Sequence, residues 1–370
     1  MLAHYQRLVM TNRLLLLNGL AVIGVLLHHA SGYGFRAMFL WTNRYLPVEV
    51  PNYDQVGSLP FYIIVLIQQL DAFTLPAFMF VSGYFAAFMS RGSATTWRWA
   101  AVMARIRKLL VPFAVWTALF FLLLVRRLPS TVDEILSRYY YVLLLSQFYL
   151  LAPLVLRVAR TRWKLLLFIL AILEIATNSV DYVRAVGIDV PESIVLLTPK
   201  WLVPNLLFWF ALGIVAGLRP QPFQAWLARH QHRLLVAAAV LIPVMLIEYL
   251  VVASISPRTW LGPYFGGISR NFYAAAFILA FLGSKRLEQP GVPLSAPLSK
   301  LGTRSLGVYL AHAPFMYVAA VFMHRATPWL LGQQLLYQTV LIAVGLAGPL
   351  LLMAAVSKTP TRRFYHYAFG

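Results

Sequence analysis

The chain has 370 residues, 61% of them hydrophobic and only 11% charged, whereas a soluble domain carries about a quarter charged residues. The formal charge is +20 and there is no cysteine, which excludes a disulfide framework, thiol chemistry and a thiolate metal site. The basic residues sit in short segments between apolar runs and not on a soluble module, so nucleic acid is not expected as a partner.

A mean hydropathy of +0.73 and repeated apolar runs of about 20 residues predict an all-α, polytopic integral membrane protein, one transmembrane domain over residues 1–370. The basic start, "MLAHYQRLVMTNR", leads into an apolar run at 14–31 with no small-residue cleavage site, so it reads as a retained first span. That span ends in two adjacent histidines, His28 and His29. Residues 32–67 form a long connection rich in aromatics and prolines. Within it, "FRAMFLW" and "LPFYIIVLIQQL" either lie in the interface or lengthen the second span outward. Further spans are predicted at 68–89, 109–125, 140–156, 165–180, 201–218, 234–253, 267–284, 305–323 and 335–357, ten in all.

The charges alternate along these spans. The N-terminal tail, the connections 90–108, 157–164, 219–233 and 285–304, and the tail after 357 hold 21 of the Lys and Arg residues. The other connections hold nine: Arg36, Arg44, Arg126, Arg127, Arg138, Arg184, Lys200, Arg258 and Arg325, while Arg270 lies inside a span. The positive-inside rule then puts both termini in the cytoplasm of a multi-pass protein of the cell (cytoplasmic) membrane. Glu49, Asp54, Asp133, Glu134, Asp181, Asp189 and Glu192 fall on the outer side, and only Glu288 falls inside.

A charged group at the bilayer centre costs about 2.5–3.5 kcal/mol or more, so ionisable residues within spans point to function. They are His28, His29, Asp71, Glu174, Glu248, Arg270 and His312, most of them in the outer half by position along their spans. A shared outward-facing cavity is predicted. Adjacent helical residues point about 100° apart, so one histidine of the pair is expected to face the site. Two bland alternatives stand beside this. Glu248 pairs with an arginine of a neighbouring helix, or His312 satisfies carbonyls freed by Pro314. A metal is not expected, because the histidines are i,i+1 and no His-x-x-x-His occurs. There is no Walker loop, GxSxG elbow or Gly-rich nucleotide fingerprint either, and "SGYGF" and "LGPYFGGISR" read as turn material.

Several motifs in order resemble one family. "LNGLAVIGVLLHHA" is similar to the first helix of the membrane acyltransferase family 3, the glycan O-acyltransferases, in which an Arg followed by Gly-Leu precedes a His by eleven positions. Here that spacing runs from Asn18, followed by Gly19 and Leu20, to His29. Eleven residues are about three turns, so the two ends share a face about 16 Å apart. "FMFVSGYF" (78–85) with Ser82, "RIRKLLVPFAVW" (105–116), "SQFYLLAPLVL" (146–156), "LFWFALGIVAG" (207–217) and "LGTRSLGVYLAHAPF" (301–315) with Tyr309 resemble later spans of the same family. The resemblance runs from about residue 13 to 355. In place of the family's Arg stands Asn18; Arg13, about a turn and a half earlier, carries the nearest positive charge.

The resemblance implies transfer of an acyl group, acetyl in the first place, from a cytoplasmic acyl-CoA co-substrate to a hydroxyl of an extracytoplasmic glycan or glycolipid, with membrane lipids as surroundings and no bound cofactor. Such a transfer needs a base for the hydroxyl proton, and an imidazole with pKa near 6.5 serves. His29 is the expected base and His28 the second candidate, with Glu174 or Asp71 orienting the ring. Asn18 and Arg13 are expected at the donor. Arg105, Arg107 and Lys108 either grip its phosphates or contact lipid phosphates as a positive-inside stop. Glu248, Arg270, His312, Ser82 and Tyr309 complete the expected cavity. Two other readings stay open: a transporter or flippase of a lipid-linked glycan, although no inverted repeat is visible, and a non-catalytic glycan-binding relative.

Overall fold

The first helix, α1 (Leu2–Phe39), has 38 residues and is about 57 Å long, well beyond the roughly 30 Å hydrocarbon layer. In the computed structural model, residues 2–90, 99–125, 129–131, 134–136, 139–257, 267–284 and 294–370 are described, and residues 2–9 by backbone alone. The charge-pattern expectations on Arg7, Arg91, Arg98, Arg126, Arg127, Asp133, Arg138, Arg258, Lys285, Arg286 and Glu288 lie outside the described residues or side chains, as does "LGPYFG".

Helix α2 (Leu59–Leu70) starts where sequence chemistry asks for a start: the Phe61 N–H donates to Ser58 Oγ at 3.3 Å, and Pro60 sits in the first turn. A 3₁₀ turn, Asp71–Phe73, separates it from α3 (Thr74–Met89). So "LPFYIIVLIQQL" lengthens the second span, and Asp71 lies at a break within it rather than near its start. There follow α4 (Trp99–Leu119) running into a π-helical turn (Phe120–Val125), α5 (Tyr140–Thr161), α6 (Trp163–Ala185) and the short α7 (Glu192–Leu196). Then come α8 (Leu207–Leu218), α9 (Pro220–Ile255), α10 (Ser269–Gly283) and α11 (Ser295–Thr303). Last are α12 (Ser305–Ala326), α13 (Gln334–Lys358) and α14 (Tyr365–Phe369). No strand occurs among the described residues.

Among the described residues, eight stretches are long and apolar enough to cross a membrane: α1 from Met10, Leu59–Met89, α4 with its π turn, α5, α6, α9, α12 and α13. The segments expected to span at 201–218 and 267–284 are shorter helices. α8 has 12 residues and α10 has 15, against the roughly 20 that a span needs. Local causes stop them early. Residues 201–206 form turns ending in Leu206 at φ 61, a left-handed conformation that a leucine adopts only under constraint. The start of α10 is set by a carboxylate from α9, described below.

The surface pattern is that of a membrane protein. Leu165, Phe168, Ile169 and Ile172 of α6 and Val240, Ile247 and Val251 of α9 are exposed, whereas Glu174, Thr177 and His312 are buried. Apolar side chains outside and polar ones inside suit a lipid surround, and the chain is an all-α polytopic membrane protein. With lipid as apolar as leucine, association relies on close packing. It is closest where glycines face backbone: Gly83 of α3 lies on the Phe210 carbonyl and Gly213 of α8 on the Phe80 carbonyl. Gly19 of α1 and Gly302 of α11 make a second such pair against Leu298 and Leu15.

Candidate active site

A cavity of about 560 Å³ lies within the bundle, beside the last third of α1. His28 and His29 reach it from the last third of α1, Asp71 from the break between α2 and α3, and Glu174, Thr177, Asn178 and Asp181 from the second half of α6. The connection before α8 adds Lys200, Trp201, Asn205 and Leu206, the start of α10 adds Gly267, Arg270 and Asn271, and Tyr140 and Tyr309 close it.

The break at Asp71–Phe73 organises the site. A helix interrupted in an apolar bundle frees carbonyls that must find donors. Arg270 Nη2 donates to the Gln68 carbonyl at 2.9 Å and Tyr273 Oη to the Leu70 carbonyl at 3.3 Å, both from α10. The same guanidinium reaches Asp71 Oδ1 at 3.4 Å. The other carboxylate oxygen, Oδ2, lies 3.0 Å from His28 Nδ1. Asp71 is thus buried between a cation of α10 and an imidazole of α1. Asp71, expected to orient His29, is bonded to His28 instead. His29 is half-buried; its ring centroid is 5.7 Å from that of His28 and 4.9 Å from that of His312. Both histidines of the pair line the cavity, because positions about 100° apart still flank one wide opening.

The two glutamates cap helices. Glu174 Oε2 accepts the Leu206 N–H at 2.8 Å, and its Oε1 lies 3.4 Å from Asn178 Nδ2, so its oxygens serve the start of α8 and not an imidazole. Glu248 accepts the N–H groups of Ile268 at 2.9 Å and Ser269 at 3.0 Å, and the Ser269 hydroxyl. Glu248 also interacts electrostatically with Arg270 of α10. An acceptor at a helix N-terminus satisfies orphan donors and meets the positive end of the dipole, which makes a buried carboxylate tolerable. Glu248 lies behind Gly267 and does not line the cavity, contrary to its expected place there.

His312 and Ser82 are also outside the lining, whereas Arg270 and Tyr309 are in it. Ser82 bonds the Tyr141 and Tyr149 side chains deeper in the bundle. Near the start of α4, Arg105 is half-buried over Tyr149, 5.6 Å from its ring, and also contacts Met89, while Arg107 and Lys108 are exposed. Arg13 donates to the Leu282 carbonyl at the C-terminal end of α10, where a cation is favourable.

Asn18 donates both amide hydrogens, to the Gly302 carbonyl at 2.9 Å and to Ser305 Oγ at 2.8 Å, and so ties α1 to the corner between α11 and α12. That makes it a strut. Asn18→Ala is expected to lower stability by about 1–3 kcal/mol, from two lost bonds, while donor affinity per folded molecule changes less than about twofold. Thermal unfolding in detergent and donor binding measure both. Weakened donor binding at unchanged stability would return Asn18 to the donor site.

Asn178, Asp181, Lys200, Trp201, Asn205, Asn271 and Tyr140 were not singled out in the sequence. Asn178 carries a signal, since it lies one turn after Glu174 on the same face. Lys200, Trp201 and Asn205 lie in irregular chain without a period to read.

A bundle of apolar helices enclosing histidines, a carboxylate and an arginine in a pocket defines a membrane protein built around a polar reaction or binding chamber. The family model described as an acyltransferase domain, acyltransferase family 3, matches residues 13–354. The chain belongs to this family, and is an acyltransferase-family protein of a membrane. No curated protein and no solved structure gave a match.

Proposed function

We propose that the protein moves an acyl group, acetyl in the first place, from a cytoplasmic acyl-CoA-type donor to a hydroxyl of a glycan or glycolipid on the far side of the cell membrane, with His29 as general base. The observation that supports this best is the convergence of His28, His29, Asp71, Arg270 and Tyr309 on one cavity. The Lys and Arg pattern supports an outward-facing cavity with both termini cytoplasmic.

In this scheme His29 takes the proton of the acceptor hydroxyl, and the oxygen attacks the thioester carbonyl. The tetrahedral intermediate expels the thiolate, which takes the proton back from the imidazolium. The Arg270 guanidinium, held by Asp71 and Gln68, supplies positive charge for the oxyanion. Arg105, Arg107 and Lys108 stand at the opposite end, where the donor's phosphates arrive. A second reading is favoured by the 3.0 Å contact of His28 with Asp71: His28 is the base and Asp71 its orienting carboxylate.

The test uses purified protein in sealed vesicles, with labelled acyl-CoA on one side and glycan acceptors on the other. Labelled glycan is expected only when the donor meets the face bearing the termini. Movement of unmodified glycan without transfer would favour a flippase, and glycan binding without either would favour a non-catalytic relative.

A further inference from the structure

His312 is 2% exposed, on α12, and belongs to none of the steps above. Its Nδ1 lies 2.5 Å from the Tyr309 carbonyl oxygen and 3.2 Å from that of Val308. Carbonyls only accept, so Nδ1 carries a hydrogen. This is not repair of a proline kink. Pro314 frees the carbonyl four residues before it, that of Leu310, and the imidazole bonds two others. With Nδ1 turned onto its own helix, the Nε2 edge faces away from α12. Nε2 is buried and has no hydrogen-bond partner among the described residues. A buried orphan acceptor is costly and calls for a reason. The His29 ring lies beside it, 4.9 Å between centroids at an interplanar angle of 47°.

We infer that His312 is a positioning residue that fixes the tautomer and orientation of His29. A neutral imidazole has one donor and one acceptor nitrogen. Two lone pairs facing each other repel, so the tautomer of His29 that turns an N–H toward His312 Nε2 is favoured, and a small rotation of the His29 ring completes a bond that the structure leaves unmade. The other nitrogen of His29 then offers a lone pair to the cavity, as a base requires. The carbonyls of Val308 and Tyr309 set His312, and His312 sets His29. A carboxylate does this in a Ser-His-Asp triad. Here a neutral ring does it without bringing another charge into the bundle. The inference rests on the reading of His29 as the base.

Three full-length variants test it. His312→Gln places an amide oxygen near the position of Nε2, His312→Asn reaches only the Nδ1 position, and His312→Phe supplies neither. Asn and Phe are expected to lower kcat about 10–100-fold, as a slightly misplaced reacting group does, with KM within about twofold. Gln is expected to stay within about fivefold of the parent. Equal losses in Gln and Asn, or losses that follow the fraction of folded protein, overturn the inference. In ¹⁵N-histidine spectra, a hydrogen-bonded His29 N–H is expected, lost in His312→Phe and restored in His312→Gln. Its absence from the parent overturns the inference even if His29→Ala is inactive. An active His29→Ala instead overturns the base assignment and the inference with it, so the two failures are told apart.

Discussion

His29→Ala is expected to lower acyl transfer per folded molecule by about 10²–10⁴-fold and to leave donor binding within about twofold. A base acts in the transition state, so its removal falls on kcat and not on a donor held at the other end of the bundle. His28→Ala is expected to cost less, about tenfold, because it loosens Asp71 and through it Arg270 without removing the proton acceptor. Asp71→Asn should resemble His28→Ala. Turnover normalised to folded protein, measured for all three, decides the matter. If His28→Ala and Asp71→Asn are the severe variants and His29→Ala is mild, the base is His28 with Asp71 as its partner. If all three retain normal turnover and merely express poorly, the histidines only pack.

The second large effect concerns folding. Gly83→Ala and Gly213→Ala each place a methyl group on a carbonyl of the facing helix, Phe210 or Phe80, in the contact of α3 with α8. Backbone cannot step aside as a flexible side chain does, so the cost is expected at or above the upper end of the usual 1–3 kcal/mol for overpacking. Gly283→Ala is the milder comparison, since its new Cβ would meet the Leu227 carbonyl at 3.3 Å and needs a shift of only a few tenths of an ångström. In thermal unfolding of detergent-solubilised protein, the first two are expected to fall well below the parent and Gly283→Ala to stay near it. Equal, small shifts for all three would mean that α3 and α8 move apart easily and that the glycine pair is not what holds them.

The "FMFVSGYF" motif shows how the two levels of information differ. Its resemblance to a family pattern was visible in the chain, but the reason for its glycine was not, because the partner carbonyl lies more than a hundred residues away in α8. Asp71 is a similar case. Its polarity within an apolar run marked it, but its depth did not follow from the run, because α2 lengthens the span and moves Asp71 to its middle. That it sits on a 3₁₀ break, with Arg270 and Tyr273 taking the carbonyls of Gln68 and Leu70, depends on α10 packing against that break.

Composition and hydropathy alone determined that the chain is an all-α membrane protein, and motif order pointed to its family. These are local properties: a bilayer demands long apolar helices, and short motifs can be read one at a time. The same reasoning picked out the ionisable residues within spans, because the cost of burying a charge does not depend on which helix is next to it. Pairing was decided only by the tertiary structure. Asp71 serves His28, Glu174 and Glu248 cap α8 and α10, Asn18 braces α11 and α12, and His312 stands against His29. The physical reason is that depth along a helix follows from residue count, whereas rotation and neighbours follow from packing. In helices that are apolar nearly all round, no polar face records that choice.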